Sequence, residues 1–168
     1  NLFSMKKFTL ALGVIVIAFS AKANNPYISK VYDYLPAPGQ FVNEMPEFEE
    51  GDTKANILAK VEEQICGNEN DGAAPGMITL GSFGGYVIFG FNHSVVNVAG
   101  EYDFKIYGNA FKSNQASDGG SCEPGIVMVS QDTNRNGVPD DEWYELAGSE
   151  YSKPETTHFY KITYYKPD

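Results

Sequence analysis

The chain has 168 residues, 22 of them acidic and 12 basic, with a formal net charge of −10 at pH 7. So acidic a surface repels phosphate backbones and anionic lipid, which excludes nucleic acid as a partner and leaves cations as attractive ones. The length suits one domain with its own core.

Residues 1–23 read as upstream residues plus an export signal. Met5 is the expected start. Lys6 and Lys7 supply the positive end, Phe8 to Phe19 the apolar run, and Ala21-Lys22-Ala23 an A-x-A cleavage site. That run is short of the ~20 residues that cross a bilayer, so no transmembrane anchor is expected in the mature chain. No cysteine follows it to take a lipid. The mature chain is therefore expected outside the cytoplasm: in the medium, on the outer cell surface or in the periplasm.

Residues 24–52 are rich in proline and aromatics and read as an extended lead-in. A helix is predicted over 53–66, where Ile57, Leu58, Val61 and Ile65 share one face and Gly67 follows as a terminator. From there the pattern is strand-like. MITLGSFGGYVIFGF gives two apolar runs around a glycine-rich turn that includes Ser82. EYDFKIY alternates, with Tyr102, Phe104 and Ile106 on one face. GIVMVSQ, EWYELAG and HFYKITYYK follow. Short strands divided by Gly, Asn and Asp turns predict a mainly β fold over 53–168, an antiparallel β-sandwich or jelly roll with one N-terminal helix. Roughly six strands are few for such a fold, and the last nears Asp168 with no closing turn. The natural chain is expected to continue.

Two cysteines, Cys66 and Cys122, in an exported chain favour a disulfide, worth about 4 kcal/mol for so long a loop. They are too few for a zinc site.

The stretch QDTNRNGVPDDEW, residues 131–143, carries the most chemistry. Asp132, Asn134, Asn136 and Gly137 fit the first half of a D-x-[DN]-x-[DN]-G calcium loop. Asp140 stands at its ninth position, and the Val138 carbonyl is a further oxygen. Position twelve is Trp143 rather than glutamate, so the missing carboxylate falls to Asp141 or Glu142. The spacing is similar to the loops of thrombospondin type 3 repeats. The competing account is a polar hairpin tip turned at Asn136-Gly137. A calcium ion here would rigidify the loop.

Trp143 and Tyr144, beside that loop, offer flat faces for a sugar or another ring-shaped ligand. Asn109 and Glu123 would join them if strands 102–107 and 125–131 pair. Trp143 as a core residue is the alternative. Catalysis has weaker support. The serines lack a nucleophile-elbow context, and His93 and His158 read as solvated or hydrogen-bonded. A carbohydrate-active hydrolase would draw its acids from Asp103, Glu123, Asp140, Asp141 and Glu142.

The segments GSFGGYVIFGFNH, GEYDFKIYGNAF, SCEPGIVMVSQD and DEWYELAGSEY resemble a family of secreted and cell-surface proteins of Bacteroidetes with galactose-binding-like (discoidin-like) β-sandwiches. The resemblance spans roughly residues 31–166. It implies a non-catalytic module that binds carbohydrate, or an accessory of cobalamin or other nutrient capture alongside other cell-surface proteins. It supplies no catalytic residues.

Overall fold

The computed structural model describes residues 25–67, 76–115 and 117–166. The expected export signal lies outside them. The described residues form small antiparallel sheets and one helix.

Helix α1 spans Lys54–Ile65, within a residue of the predicted bounds at each end. Its start is a capping box: the Thr53 hydroxyl accepts the Asn56 N–H, and the Asn56 side-chain oxygen accepts the Thr53 N–H at 3.0 Å. It ends where Cys66 turns extended, with its N–H still donating to the Glu62 carbonyl at 2.9 Å. The Ile57, Leu58, Val61 and Ile65 face packs on Val31, Tyr34, Ile78 and Val87, and Val61 at its centre is completely buried.

Strand β1, Lys30–Leu35, pairs antiparallel with β2, Tyr86–Gly90. The register slips between Val31 and Asp33, so Tyr32 is the extra residue of a bulge. That slip reverses the alternation, and Val31 and Tyr34, three apart, both turn to the core. The segment expected only as an extended lead-in thus supplies Val31, Tyr34 and Ala37 to the buried set, against Val61 from the helix. Side chains bind the layers. Glu62 accepts the Val31 N–H at 2.9 Å, and the Tyr34 hydroxyl donates to the Thr79 carbonyl at 2.6 Å. Lys60 joins Glu49, Asp52 and the Glu47 carbonyl. The predicted turn around Ser82 is present. Gly81 has φ +72, and a Cβ there would lie 1.8 Å from the Ala37 carbonyl oxygen, so glycine is required.

Asp33 accepts from Lys54 at 2.7 Å and from the Tyr86 hydroxyl at 2.9 Å. The Lys54 hydrogen bond, then that of Tyr86, holds the Asp33 carboxyl below its ordinary 3.8. A folded-state value below the unfolded one gives stability that is present above 3.8 and is lost as pH falls through the lowered value. Lys54 is exposed, so solvent screens the pair and its contribution is small. Lys54→Met is expected to return the Asp33 carboxyl, followed by NMR titration, toward its ordinary range. An unchanged titration would remove Lys54 as the cause.

The remaining strands form two short hairpins. Ala110–Lys112 (β3) pairs with Gly120–Cys122 (β4), and Met128–Ser130 (β5) with Trp143–Glu145 (β6). Among the described residues neither hairpin packs on the other or on the α1–β1–β2 unit. Three expected strands differ. Met77 to Leu80 is an irregular connection bonded to the lead-in through Ala37 and Met45. The alternating segments 102–107 and 158–166 are not strands either, and Tyr102 and Phe159 are 100% and 96% exposed. Alternation proposes a strand, but a strand also needs an adjacent edge to accept its backbone hydrogen bonds; segment 158–166 instead meets the Phe83 turn through side chains, the Tyr164 hydroxyl donating to the Phe83 carbonyl at 2.8 Å.

The expected disulfide is not formed. Cys66, half-buried at the end of α1, and exposed Cys122, on a hairpin that does not pack against that helix, are both free thiols. Burial pushes the Cys66 thiol above its ordinary range, which disfavours the thiolate.

Candidate functional site

The β5–β6 hairpin aligns Ser130 with Trp143 and Val129 with Tyr144, and so presents the loop 131–142 from one end. The two Asp132 carboxylate oxygens accept the Asn136 N–H at 3.0 Å and the Gly137 N–H at 2.9 Å. Asn134 accepts the Asn136 N–H at 2.9 Å, and Asn136 accepts the Val138 N–H at 2.8 Å. The Asn136 amide nitrogen reaches both Asp140 oxygens, at 3.2 and 3.0 Å, and that of Asn134 reaches one at 3.4 Å. The sequence therefore folds locally around its own side chains: Asp132, Asn134 and Asn136 accept N–H groups of the backbone that follows, and Asp140 accepts the two asparagine amides.

This is not the two-residue Asn-Gly hairpin turn. Types I′ and II′ need positive φ at the first central residue, yet the positive values fall at Arg135 (+60) and Gly137 (+72), not at Asn136. A carboxylate offers about four lone-pair sites. Asp132 uses only part of its set, and so retains oxygen capacity for a cation.

The structure brings together Asp132, Asn134, Asn136 and Asp140. Asp141 joins from the side through the Thr133 hydroxyl; among the described residues its second oxygen is buried without a hydrogen-bond partner, as is the Ser130 hydroxyl. The Val138 carbonyl accepts the Asp140 N–H at 2.9 Å. Glu142 turns away to accept the Tyr144 hydroxyl at 2.7 Å, and that hydrogen bond raises the Tyr144 phenol above its ordinary value. Among the described residues no three Asp, Glu, His or Cys groups are clustered to hold a metal. The loop's donors are carboxylate and amide oxygens, the hard set that suits calcium and not a soft transition metal. Thr133 and Ser130 were not singled out in the sequence, where a hydroxyl between acids reads as loop polarity.

The four ligand candidates do not form one face. Neighbours along a strand point to opposite sides of a sheet, so half-buried Trp143 and exposed Tyr144 cannot stack on the same ring. Asn109 does meet Glu123, its amide donating at 3.1 Å, with the Glu123 N–H on the Asn109 carbonyl at 3.2 Å. The cause is the β3–β4 register and not the expected pairing of 102–107 with 125–131. This second pair is separate from the β5–β6 hairpin.

The acids considered for hydrolysis are held locally. Asp103 accepts the Val98 N–H at 2.8 Å, Glu123 pairs with Asn109, and the other three belong to the 131–142 loop. His93 contacts Asn92 and packs on Phe91; His158 contacts the Tyr151 carbonyl. A cleft of about 420 Å³ between the 44–47 turn and the end of α1 is lined by Glu44, Met45, Glu47, Gln64 and Met77, without a nucleophile–base pair.

Among the described residues no helix is long and apolar enough to cross a membrane. Comparison with family models and with curated proteins finds no match for this chain.

Proposed function

We propose that the chain is an exported, non-catalytic binding module of the Bacteroidetes cell-surface kind, a β-sandwich whose 131–142 loop holds a structural calcium ion. One observation carries the metal part of this reading: the side chains of Asp132, Asn134, Asn136 and Asp140 are gathered within one loop, and the same loop holds an Asp141 oxygen that is buried without a partner among the described residues. A polar tip facing water has no need of that buried carboxylate oxygen, whereas a cation would satisfy it. Carbohydrate is the ligand class, bound at the exposed aromatic surface next to the loop, Tyr144 foremost. The apolar side chains left open on the hairpins, among them Phe111, Ile126 and Met128, are the inner faces of the sandwich.

Trp143 is the chain's single tryptophan and borders the loop, so its fluorescence reports on it. Calcium is expected to change that signal saturably and to raise the melting transition. At about one hundred times Kd the gain is about 2.7 kcal/mol. Excess chelator reverses both effects, and Asp140→Ala removes both. A melt and fluorescence indifferent to calcium would leave a hydrogen-bonded turn and no metal site. Glycan binding is tested apart, by an array probed with the calcium-loaded chain; turnover of any bound sugar would replace the binding module with a hydrolase.

A further inference from the structure

We propose that the Asn136–Gly137 link is a spontaneous deamidation site, held in check by the hydrogen bonds of its own loop. Asn136 is the one asparagine of the sequence that precedes glycine. Both residues are exposed, and apart from its chain neighbours no heavy atom of the described residues lies within 4 Å of where a Gly137 Cβ would stand, so neither bulk nor burial protects the link.

In the reaction the Gly137 backbone nitrogen bonds to Cγ of Asn136. The Cγ–Nδ2 bond breaks, the glycine amide proton ends on the departing nitrogen, and ammonia leaves a five-membered succinimide. Water then adds at either imide carbonyl, giving aspartate or isoaspartate at position 136 and one more negative charge.

The folded loop restrains each participant. The attacking N–H is engaged by Asp132 at 2.9 Å. The carboxamide under attack is held at both ends, its oxygen by the Val138 N–H at 2.8 Å and its nitrogen by the two Asp140 oxygens. Those bonds must break or distort before Cγ can turn onto the nitrogen. The product cannot restore them. Aspartate replaces the amide donor facing Asp140 with a like charge, and isoaspartate adds a backbone methylene at the bend. Deamidation is therefore a one-way change that dismantles the network restraining it.

The test incubates the full chain in chelator, so that the outcome is independent of the calcium reading. A lysine-specific protease keeps Arg135–Asn136 intact, and mass spectrometry locates the modified residue. Asn136 is expected to deamidate more slowly in the folded wild type than in the denatured chain. Asp132→Ala and Asp140→Ala are each expected to speed it roughly five-fold, the effect of about one hydrogen bond. Asp132→Asn, which keeps an acceptor for the Gly137 N–H, is expected to stay near wild type; this separates a lost hydrogen bond from a variant that has failed to fold. Equal rates in folded and denatured wild type, no reaction in either, or Asp132→Asn as fast as Asp132→Ala would each overturn the proposal.

Discussion

Val61→Asp is expected to abolish the α1 signal in far-ultraviolet circular dichroism and the cooperative unfolding of the N-terminal unit. Val61 has no exposed surface and meets the cluster of Val31 and Tyr34, with Ile57, Leu58, Ile65, Ile78 and Val87 around it. A carboxylate there would be desolvated among apolar side chains, at a cost of several kcal/mol. Val61→Ala, which leaves only a cavity, is expected to lose about 2 kcal/mol. Against a total stability on the order of 5–15 kcal/mol, the first change unfolds the unit and the second weakens it. Retained helix signal in Val61→Asp would show that α1 is not anchored through this residue. A companion variant tests the proposed sandwich. Ile126, two residues before β5, is 75% exposed, so Ile126→Asp costs within about 0.5 kcal/mol if the hairpins stand alone. A loss approaching that of Val61→Asp would mean that the hairpin faces are packed together.

How far the sequence discloses this structure depends on the range of the forces involved. Helix α1 is legible because its main determinant is local: Ile57, Leu58, Val61 and Ile65 recur on one face over the span that folds as Lys54–Ile65. The β1 contribution to the core is hidden because the bulge at Tyr32 puts Val31 and Tyr34 on one side, whereas unbroken alternation would set residues three apart on opposite sides. The segments 102–107 and 158–166 show the converse. Their alternation is clear, but pairing depends on a neighbouring edge that local sequence does not specify.

The site divides the same way. Asp132, Asn134, Asn136 and Asp140 are found by spacing because the loop folds on contacts two to six residues apart. Asn109 and Glu123 are adjacent, but through a hairpin register that the alternation of EYDFKIY concealed. Trp143 and Tyr144 are neighbours in sequence and, for that reason, lie on opposite faces of β6. The Cys66–Cys122 pairing rested on cysteine count and compartment, which carry no information on distance.

Asp132→Ala is expected to weaken calcium binding roughly one hundred-fold. Asp132 carries two loads in the proposed site: a negative charge among the cation's oxygens, and the acceptor for the N–H groups of Asn136 and Gly137. Those N–H groups set the bend that brings Asn136 and Asp140 into reach. Alanine removes both functions, and charge-assisted hydrogen bonds of this type are worth about 1.5–3 kcal/mol each. A net loss near 2.8 kcal/mol corresponds to a factor of about one hundred in Kd. Asp132→Asn keeps an acceptor oxygen and loses the charge, so its affinity should fall between the two, by roughly ten-fold. Calorimetric titration of the three chains with calcium ranks them directly. The order wild type, Asp132→Asn, Asp132→Ala separates the charge from the scaffold; two variants of equal affinity would leave the charge as the whole effect. Affinity unchanged in Asp132→Ala would place any calcium away from the loop and refute the metal assignment of residues 131–142.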